Sequence, residues 1–589
     1  MLGDSAPHSP VERIRTRRVQ SSGTRVANSI TMSASRKNLR RRVARAVRRF
    51  ALTTLCAWMG VCVVAAEVQA ASGHVAQISQ AAQQDVAAGD STAGGPRKPA
   101  VRPKSKRRRR SSSRSSVSRG EVANRPTTLS WMSPRGVESL SDALGAALTQ
   151  HTRSGRWGVM VVSLTRGDTL FRSSPEAMMQ PASTMKMYTS VLALDRFGPD
   201  YQLKTTVLRE GQLGADGTLE GSLYLRGGGD PSLSPRFWGA VNPMDSLAHL
   251  IAAAGVRHVR GDIVGDAGAF DPQLVPEGWQ SRYLGAAYAA RVSALSLDEN
   301  LVWVVVQADG KKAVVSLDPA TTTIPVQSTV RVVGGSGGRI SAVRQKDGSI
   351  LVRGTIGASA APQRYSLVAD DPASFATGAL RAALEKAGVT IDGRVTVGST
   401  PSNATEVAAL ASPTLANIIA EMNRESINLY AELLFRDAAH AANPDQVGSA
   451  QTGLATLRAL LADKVHARAE DVQVSDGSGL SVLDRVTPRS MVELLSYAHQ
   501  APWGATFHAS LPLEGESGTL RHRARFTPAR GNLHAKTGTT NTVASLGGYV
   551  TAKDGEILAF SFIYNGSDRW NAKLAMDQMG ATLAEFVRE

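Results

Sequence analysis

Cysteine is nearly absent. The 589 residues hold two, Cys56 and Cys62, and both lie inside one uncharged, mostly apolar run from Phe50 to Ala66. If that run is removed on export, the mature chain has no thiol. Disulfides, thiolate metal sites and a cysteine nucleophile are then excluded together, and an oxidising compartment is tolerated. Met59-Gly60-Val61 ahead of Cys62 do not form a lipid-attachment box. Net charge is also missing from the part that folds. The formal charge is +17, but residues 1–125 carry 25 Lys and Arg against 6 Asp and Glu, leaving 42 basic and 44 acidic residues for the rest. The excess marks a tail, not a nucleic-acid-binding face. That tail lacks the aromatic and base-reading partners such binding needs. No internal repeat is present.

The N-terminal quarter reads as export and spacing. Arg36 to Arg49 is strongly basic, Phe50 to Ala66 is apolar, and Val68-Gln69-Ala70 is a small-x-Ala site. That order predicts a signal peptide over 32–70, cut after about Ala70. An uncleaved membrane anchor is the alternative, since the run is close to spanning length. Residues 1–31 precede the signal as an upstream extension, and Met32 is a candidate true start. Residues 71–127 are Ala, Gln, Ser, Pro and Arg with a basic cluster at Lys104 to Arg110. They cannot bury a core and are expected to be a disordered linker. Weak attraction of this linker to an anionic membrane or wall surface is one reading, and a solvated tether is the other.

From about Leu129 the pattern becomes globular. Trp157 to Leu164 and the stretch after Arg166-Gly167-Asp168 predict a hairpin. A helix over Met187 to Phe197 follows, stopped by Gly198-Pro199. Residues 200–404 are rich in Val, Thr and Gly, with turn pairs at Asp309-Gly310 and Asp347-Gly348. They read as inserted, mostly β modules broken by one clear helix, Ser374 to Ala387. Helical spacing returns at Leu415 to Met422, Leu429 to Ala439, Ala450 to Ala462 and Ser490 to Gln500. Strands follow at Leu533 to Lys536, Ala544 to Val550 and Ile557 to Tyr564, and a helix from about Arg569 closes the chain. Strands at both ends with helices between predict one α/β sheet built from 128–199 and 405–589, with helices on its faces.

Three short motifs carry the chemistry. Ser183 and Lys186 stand three apart at a helix start, so the amine reaches the hydroxyl. A hydroxyl needs a base to become a nucleophile, and lysine serves if burial or nearby cations lower its pKa. Ser426-Ile427-Asn428, between two helices, supplies a hydroxyl and an amide. Lys536-Thr537-Gly538-Thr539, at the end of a strand, supplies a cation, hydroxyls and a glycine that lets substrate backbone approach. Each motif alone is weak; together and in this order they resemble the signature of penicillin-binding proteins and class A β-lactamases. His522 between Arg521 and Arg523 has no ligand set near it, so no metal is expected. Gly227-Gly228-Gly229 lacks the ending of a phosphate loop and reads as a tight turn.

The likeness extends further. Asp476-Gly477-Ser478-Gly479-Leu480-Ser481 with Thr487-Pro488 resembles the D-alanyl-D-alanine carboxypeptidase/endopeptidase family of class C penicillin-binding proteins. So do Gly228-Gly229-Asp230-Pro231-Ser232-Leu233, Gly261-Asp262-Ile263-Val264-Gly265-Asp266, Ser510-Leu511-Pro512 and Gly518-Thr519-Leu520. The long interval from Lys186 to Asn428 is similar to the insertion this family carries and β-lactamases lack. The resemblance implies a β-lactamase/transpeptidase-like α/β fold, an antiparallel sheet flanked by helices, with that large mostly-β insertion. It implies a periplasmic serine peptidase of peptidoglycan stem peptides that forms an acyl-enzyme and is acylated by β-lactams, without a cofactor. Ser183 would be the nucleophile and Lys186 its base. Ser426 would relay a proton with Lys536, and Asn428 would orient Lys186 and substrate. The Thr537 and Thr539 hydroxyls, with Lys536, would hold the terminal carboxylate, Gly538 would let the substrate backbone approach, and Asp266 would meet the amine of a diamino acid. In the family an Arg follows the residue matching Ser481, and an Asn comes two residues after that Arg. Here Val482 and Asp484 stand there, which removes any contact that arginine would make. The rival readings are a serine β-lactamase, a non-catalytic wall-binding protein and a basic-tail nucleic-acid binder.

Overall fold

The computed structural model describes residues 129–589. The predicted upstream extension (1–31), signal peptide (32–70) and linker (71–127) lie outside the described residues.

A five-stranded antiparallel sheet organises the molecule. Helix α1 (Val137–His151) leads into β1 (Arg156–Ser163) and β2 (Thr169–Ser173). A short helical turn, Ala182–Thr184, runs into α2 (Met185–Phe197). After the insertion come α3 (Leu415–Glu425), α4 (Asn428–Ala442) and α5 (Pro488–Gln500). The chain then returns to the sheet as β3 (His534–Thr539), β4 (Val543–Thr551) and β5 (Ile557–Asn565), and ends with α6 (Arg569–Ala584). The strand order is β2-β1-β5-β4-β3, and Trp157 faces Tyr564 across the β1–β5 join. Both ends of the chain therefore build one sheet, as their alternating apolar patterns require.

Both faces of that sheet are covered. In β5, Leu558, Phe560, Phe562 and Tyr564 face a core shared with α1 and α6. Ala559 and Ile563 face the opposite core, shared with α2, α3, α4 and α5. The side-chain period of two sends alternate residues to opposite layers. Helix α2 lies deepest, with every residue from Met185 to Leu194 buried. A helix covered all round has no polar face to show, which is why its lysine is trapped inside. Gly198, at φ 76°, ends α2 with its N–H on the Leu194 carbonyl.

The insertion leaves and rejoins by a zipper. Strand Lys204–Arg209 pairs antiparallel with Thr405–Ala411, Lys204 facing Ala411, and Leu203 and Ser412 exchange bonds just below. The two strands belong to a five-stranded mixed sheet, and between them in the chain lie a four-stranded mixed sheet, two three-stranded sheets and a core of their own. Both turn pairs form hairpins: Asp309 faces Lys312, and Arg344 faces Ile350. The region is less uniformly β than its composition predicts. Besides Pro372–Lys386 it holds the helix Pro243–Ala253, started by the Asn242 side chain accepting from Met244 N and by proline in the first turn. That start signal lies in the sequence, inside a stretch whose overall composition favours strands. Among the described residues no helix is long and apolar enough to cross a membrane.

Candidate active site

The three motifs arrive by different routes. Ser183 sits in the helical turn before α2, directly after Ala182, whose φ is 48°. Ser426 joins α3 to α4 in the left-handed conformation, φ 60°. Asn428 opens α4. Lys536 lies mid-way along β3 and Thr539 ends it. Non-glycine residues with positive φ each cost about 1–3 kcal/mol and persist where their surroundings demand them. Here one sets the direction of the turn carrying Ser183 and the other turns a hydroxyl inward.

The side chains meet in one place. Lys186 Nζ lies 3.2 Å from Ser183 Oγ, 2.6 Å from Asn428 Oδ1 and 2.8 Å from the Ser478 carbonyl. Lys536 Nζ lies 2.9 Å from Ser426 Oγ and 3.0 Å from the Thr537 carbonyl. Ser183, Ser426, Asn428, Thr537 and Thr539 line one cavity of about 400 Å³. Both lysines are fully buried. Burial pulls Lys186 down to about 8, opposed by the charges of Asp476, Glu432 and Asp484. Burial, then the charge of Lys186, pulls Lys536 well below the usual ammonium range. The charge of Lys186 thus adds to the burial that lowers Lys536, and a lowered amine is what a base requires.

Asn428 also reaches the insertion. Its Oδ1 takes Lys186, but its Nδ2 donates to the Tyr288 carbonyl at 2.8 Å. Tyr288 belongs to the insertion, and with Tyr283 it lines the cavity. The insertion is therefore part of the site. Gly538 is closely packed. A Cβ there would lie 2.1 Å from Ser545 Oγ, 2.7 Å from the Pro181 carbonyl and 3.0 Å from Ser183 N. The missing side chain makes room for the turn bearing the nucleophile. Ser545 Oγ donates to the Pro181 carbonyl at 2.6 Å and locks that packing. Thr537 Oγ1 donates to Thr519 Oγ1 at 2.8 Å.

Asp266 does not join them. It is 7% exposed, its Oδ1 accepts from Gly268 N at 2.9 Å, and its Oδ2 accepts from Thr400 N at 2.8 Å. It closes a turn inside the insertion and does not line the cavity of Ser183. Each of its oxygens accepts one backbone N–H within the insertion.

Sequence reasoning quoted the Asp476–Ser481 stretch without giving it a task. In the fold Asp476 accepts from Ser478 N, Gly479 N and Ser481 N at 3.0, 2.6 and 2.7 Å, and from Trp279 Nε1 at 2.8 Å. One carboxylate thus shapes the loop whose Ser478 carbonyl holds Lys186. Gly479, φ 82°, lets that loop lie against the Ala182 carbonyl, where a Cβ would come within 1.8 Å. Asp484 is fully buried and accepts from Ser475 N at 2.8 Å. Burial and the adjacent Asp476 push its carboxyl well above the usual range. An aspartate just before Gly477-Ser478-Gly479 is a readable sign of such a loop, but its target is not.

The chain is similar to known proteins. A sequence profile of the D-Ala-D-Ala carboxypeptidase 3 (S13) family matches residues 140–586. A D-alanyl-D-alanine carboxypeptidase of Actinomadura sp. (strain R39) is 33% identical over 493 residues, covering 78% of this chain and 89% of that protein. The D-alanyl-D-alanine carboxypeptidase DacB of Haemophilus influenzae is 25% identical over 451 residues, 75% of this chain and 91% of that one. The fold matches the crystal structure of penicillin binding protein 4 from H. influenzae with a TM-score of 0.63 at 23% identity, over 74% of this chain and 97% of that one.

Proposed function

Because this chain belongs to the D-Ala-D-Ala carboxypeptidase 3 (S13) family, we propose that it is a penicillin-binding serine peptidase that cleaves D-alanyl-D-alanine bonds of peptidoglycan stem peptides through an acyl-enzyme. The observation that carries the reading is the buried Lys186 amine, 3.2 Å from Ser183 Oγ and held by Asn428 Oδ1 and the Ser478 carbonyl.

Free Lys186 takes the Ser183 proton, and Oγ adds to the carbonyl carbon between the two terminal residues. The backbone N–H groups of Ser183 and Thr539 receive the oxyanion. The near approach of Gly538 to Ser183 N supports this, since it brings the strand end beside that amide. A donor of this kind contributes about 3–4 kcal/mol to the transition state. The C–N bond then breaks, and the proton taken by Lys186 is relayed through Ser426 to the leaving amine, aided by Lys536 beside Ser426 Oγ, which frees Lys186 again. Thr537 and Thr539 hold the terminal carboxylate. Water, deprotonated by Lys186, releases the acyl group and restores Ser183. Where the bond is a cross-link, the same steps give endopeptidase action. β-Lactams enter as acyl donors. The substrate lies in the cell envelope, in agreement with the export signal read at 32–70.

The test is covalent labelling. Labelled penicillin marks the purified protein, and Ser183→Ala abolishes the mark; a mark that survives the substitution rejects the assignment. A serine β-lactamase is the weaker reading, because the curated relatives are carboxypeptidases. Rapid turnover of a chromogenic β-lactam would favour it.

A further inference from the structure

The insertion meets α4 along a seam. Phe237 stacks on Tyr430 with ring centres 6.2 Å apart, and Asp271 N donates to the Gly448 carbonyl at 3.0 Å. Two acids meet across this seam. Asp230, in the turn at 228–233 of the insertion, is 2% exposed, and Asp437, in the second half of α4, is 8% exposed. A Cβ at Gly229 would lie 3.4 Å from Asp437 Cβ and 3.5 Å from its Cγ. The Asp437 carboxyl therefore rests against the backbone just before Asp230. Neither acid lines the cavity of Ser183.

Among the described residues neither acid forms an ion pair, and Asp230 Oδ2 and Asp437 Oδ2 are buried without a hydrogen-bond partner. Arg436 precedes Asp437 on the helix, and successive helical side chains point apart. It pairs with Glu432 at 2.7 Å and faces Asp271 at 3.9 Å. Ser232 is fully buried. Its N–H donates to Asp230 Oδ1 at 2.8 Å. Its hydroxyl is turned toward the same carboxylate but makes no hydrogen bond of good geometry. Burial raises Asp230 to about 6, and burial with the charge of Asp230 raises Asp437 to about 7. Tyr201, also beside Asp437, is raised by burial and by that acid, so it stays neutral. Two buried carboxylates side by side require a proton or a cation between them.

We propose that Asp230, Asp437 and Ser232 bind a hard divalent cation, calcium or magnesium, which fastens the insertion to α4. The donors are all oxygen, the set that suits such ions and not softer metals. Two carboxylates match the charge of the ion, and hard cations keep bound water where protein ligands are few. The role is mechanical. Helix α4 begins at Asn428, which holds Lys186 and takes the Tyr288 carbonyl of the insertion. An ion on the later turns of that helix ties it to the same module a second time. No step of the acyl transfer passes through the ion.

The test strips the purified protein with EDTA, adds calcium chloride or magnesium chloride, and reads the melting temperature above neutral pH. Extracellular sites of this kind bind at about 10⁻⁴–10⁻³ M. At an ion concentration about 100 times Kd, the wild-type melting temperature rises by about 3 °C. Asp437→Asn keeps its penicillin label and loses the rise. An equal rise in Asp437→Asn overturns the inference. No rise with either ion in the wild type also overturns it and assigns the pair a shared proton. If Asp437→Asn does not fold, calorimetric titration of the wild type at about pH 6.5 decides. The raised carboxyls are partly protonated there, so saturable binding at this pair releases protons, whereas binding at exposed acids releases none. No binding, or binding without proton release, overturns the inference.

Discussion

Replacing Gly538 by alanine separates two uses of a glycine at this place. The added Cβ would stand 2.1 Å from Ser545 Oγ and 2.7 Å from the Pro181 carbonyl, against a comfortable carbon contact of about 3.5 Å. Relief requires β3 and the Ser183 turn to part by about 1 Å. Overpacking of this kind costs about 1–3 kcal/mol of stability. The same displacement of a reacting atom costs about 100-fold in rate. Acylation of Gly538→Ala by labelled penicillin should therefore slow about 100-fold while the protein still unfolds cooperatively. Ser545→Ala removes the nearest clash and one hydrogen bond to Pro181 worth about 1 kcal/mol. Alone it slows acylation a few-fold; combined with Gly538→Ala it recovers at least tenfold over the single glycine variant. A wild-type rate for Gly538→Ala, or losses that simply multiply in the double variant, would refute the packing argument. The glycine would then be serving the incoming peptide.

Four further outcomes are expected. Lys186, lowered to about 8, must be free to act. The acylation rate should fall about tenfold per pH unit below about 8 and level off above it, as a pH–rate profile would read. Asp266→Ala should lose about 1–3 kcal/mol by stranding the N–H groups of Gly268 and Thr400, yet keep its penicillin label; loss of label in a folded variant would return Asp266 to the site. Asp476→Ala strands several buried donors at once and should cost about 4 kcal/mol or more, seen in denaturant titration. Asp484 has a carboxyl raised above its unfolded value. The fold therefore binds its proton more tightly than the unfolded chain does, and stability drops as pH climbs from the usual carboxylate range toward that raised value. Asp484→Asn carries no such proton, so its melting temperature should exceed wild type by a margin that grows with pH.

Much of the fold was legible because its signals are local. Alternation in Ala544 to Val550 and Ile557 to Tyr564, the Gly198-Pro199 stop and the two Asp-Gly turns depend only on near neighbours. The helix Pro243–Ala253 went unread because its start signal lies in a region whose overall composition favours strands. The site was legible in part. A Ser-x-x-Lys spacing gives proximity on a helix from geometry alone, whereas Asp266 carried an acid in a suggestive motif and no information about the N–H groups that would occupy it.

By itself the sequence determined the chemical kinds: one hydroxyl beside one amine, a second amine on a strand, no cysteine after Cys62, and the net charge confined to the first 125 residues. Only the tertiary structure decided that Tyr288 of the insertion holds Asn428, that Asp476 shapes the loop gripping Lys186, and that Gly538 yields space to the Ser183 turn. Those are contacts between segments far apart in the chain. Their partners are chosen by packing and by the need to satisfy buried polar groups, and neither is written in any one stretch of residues.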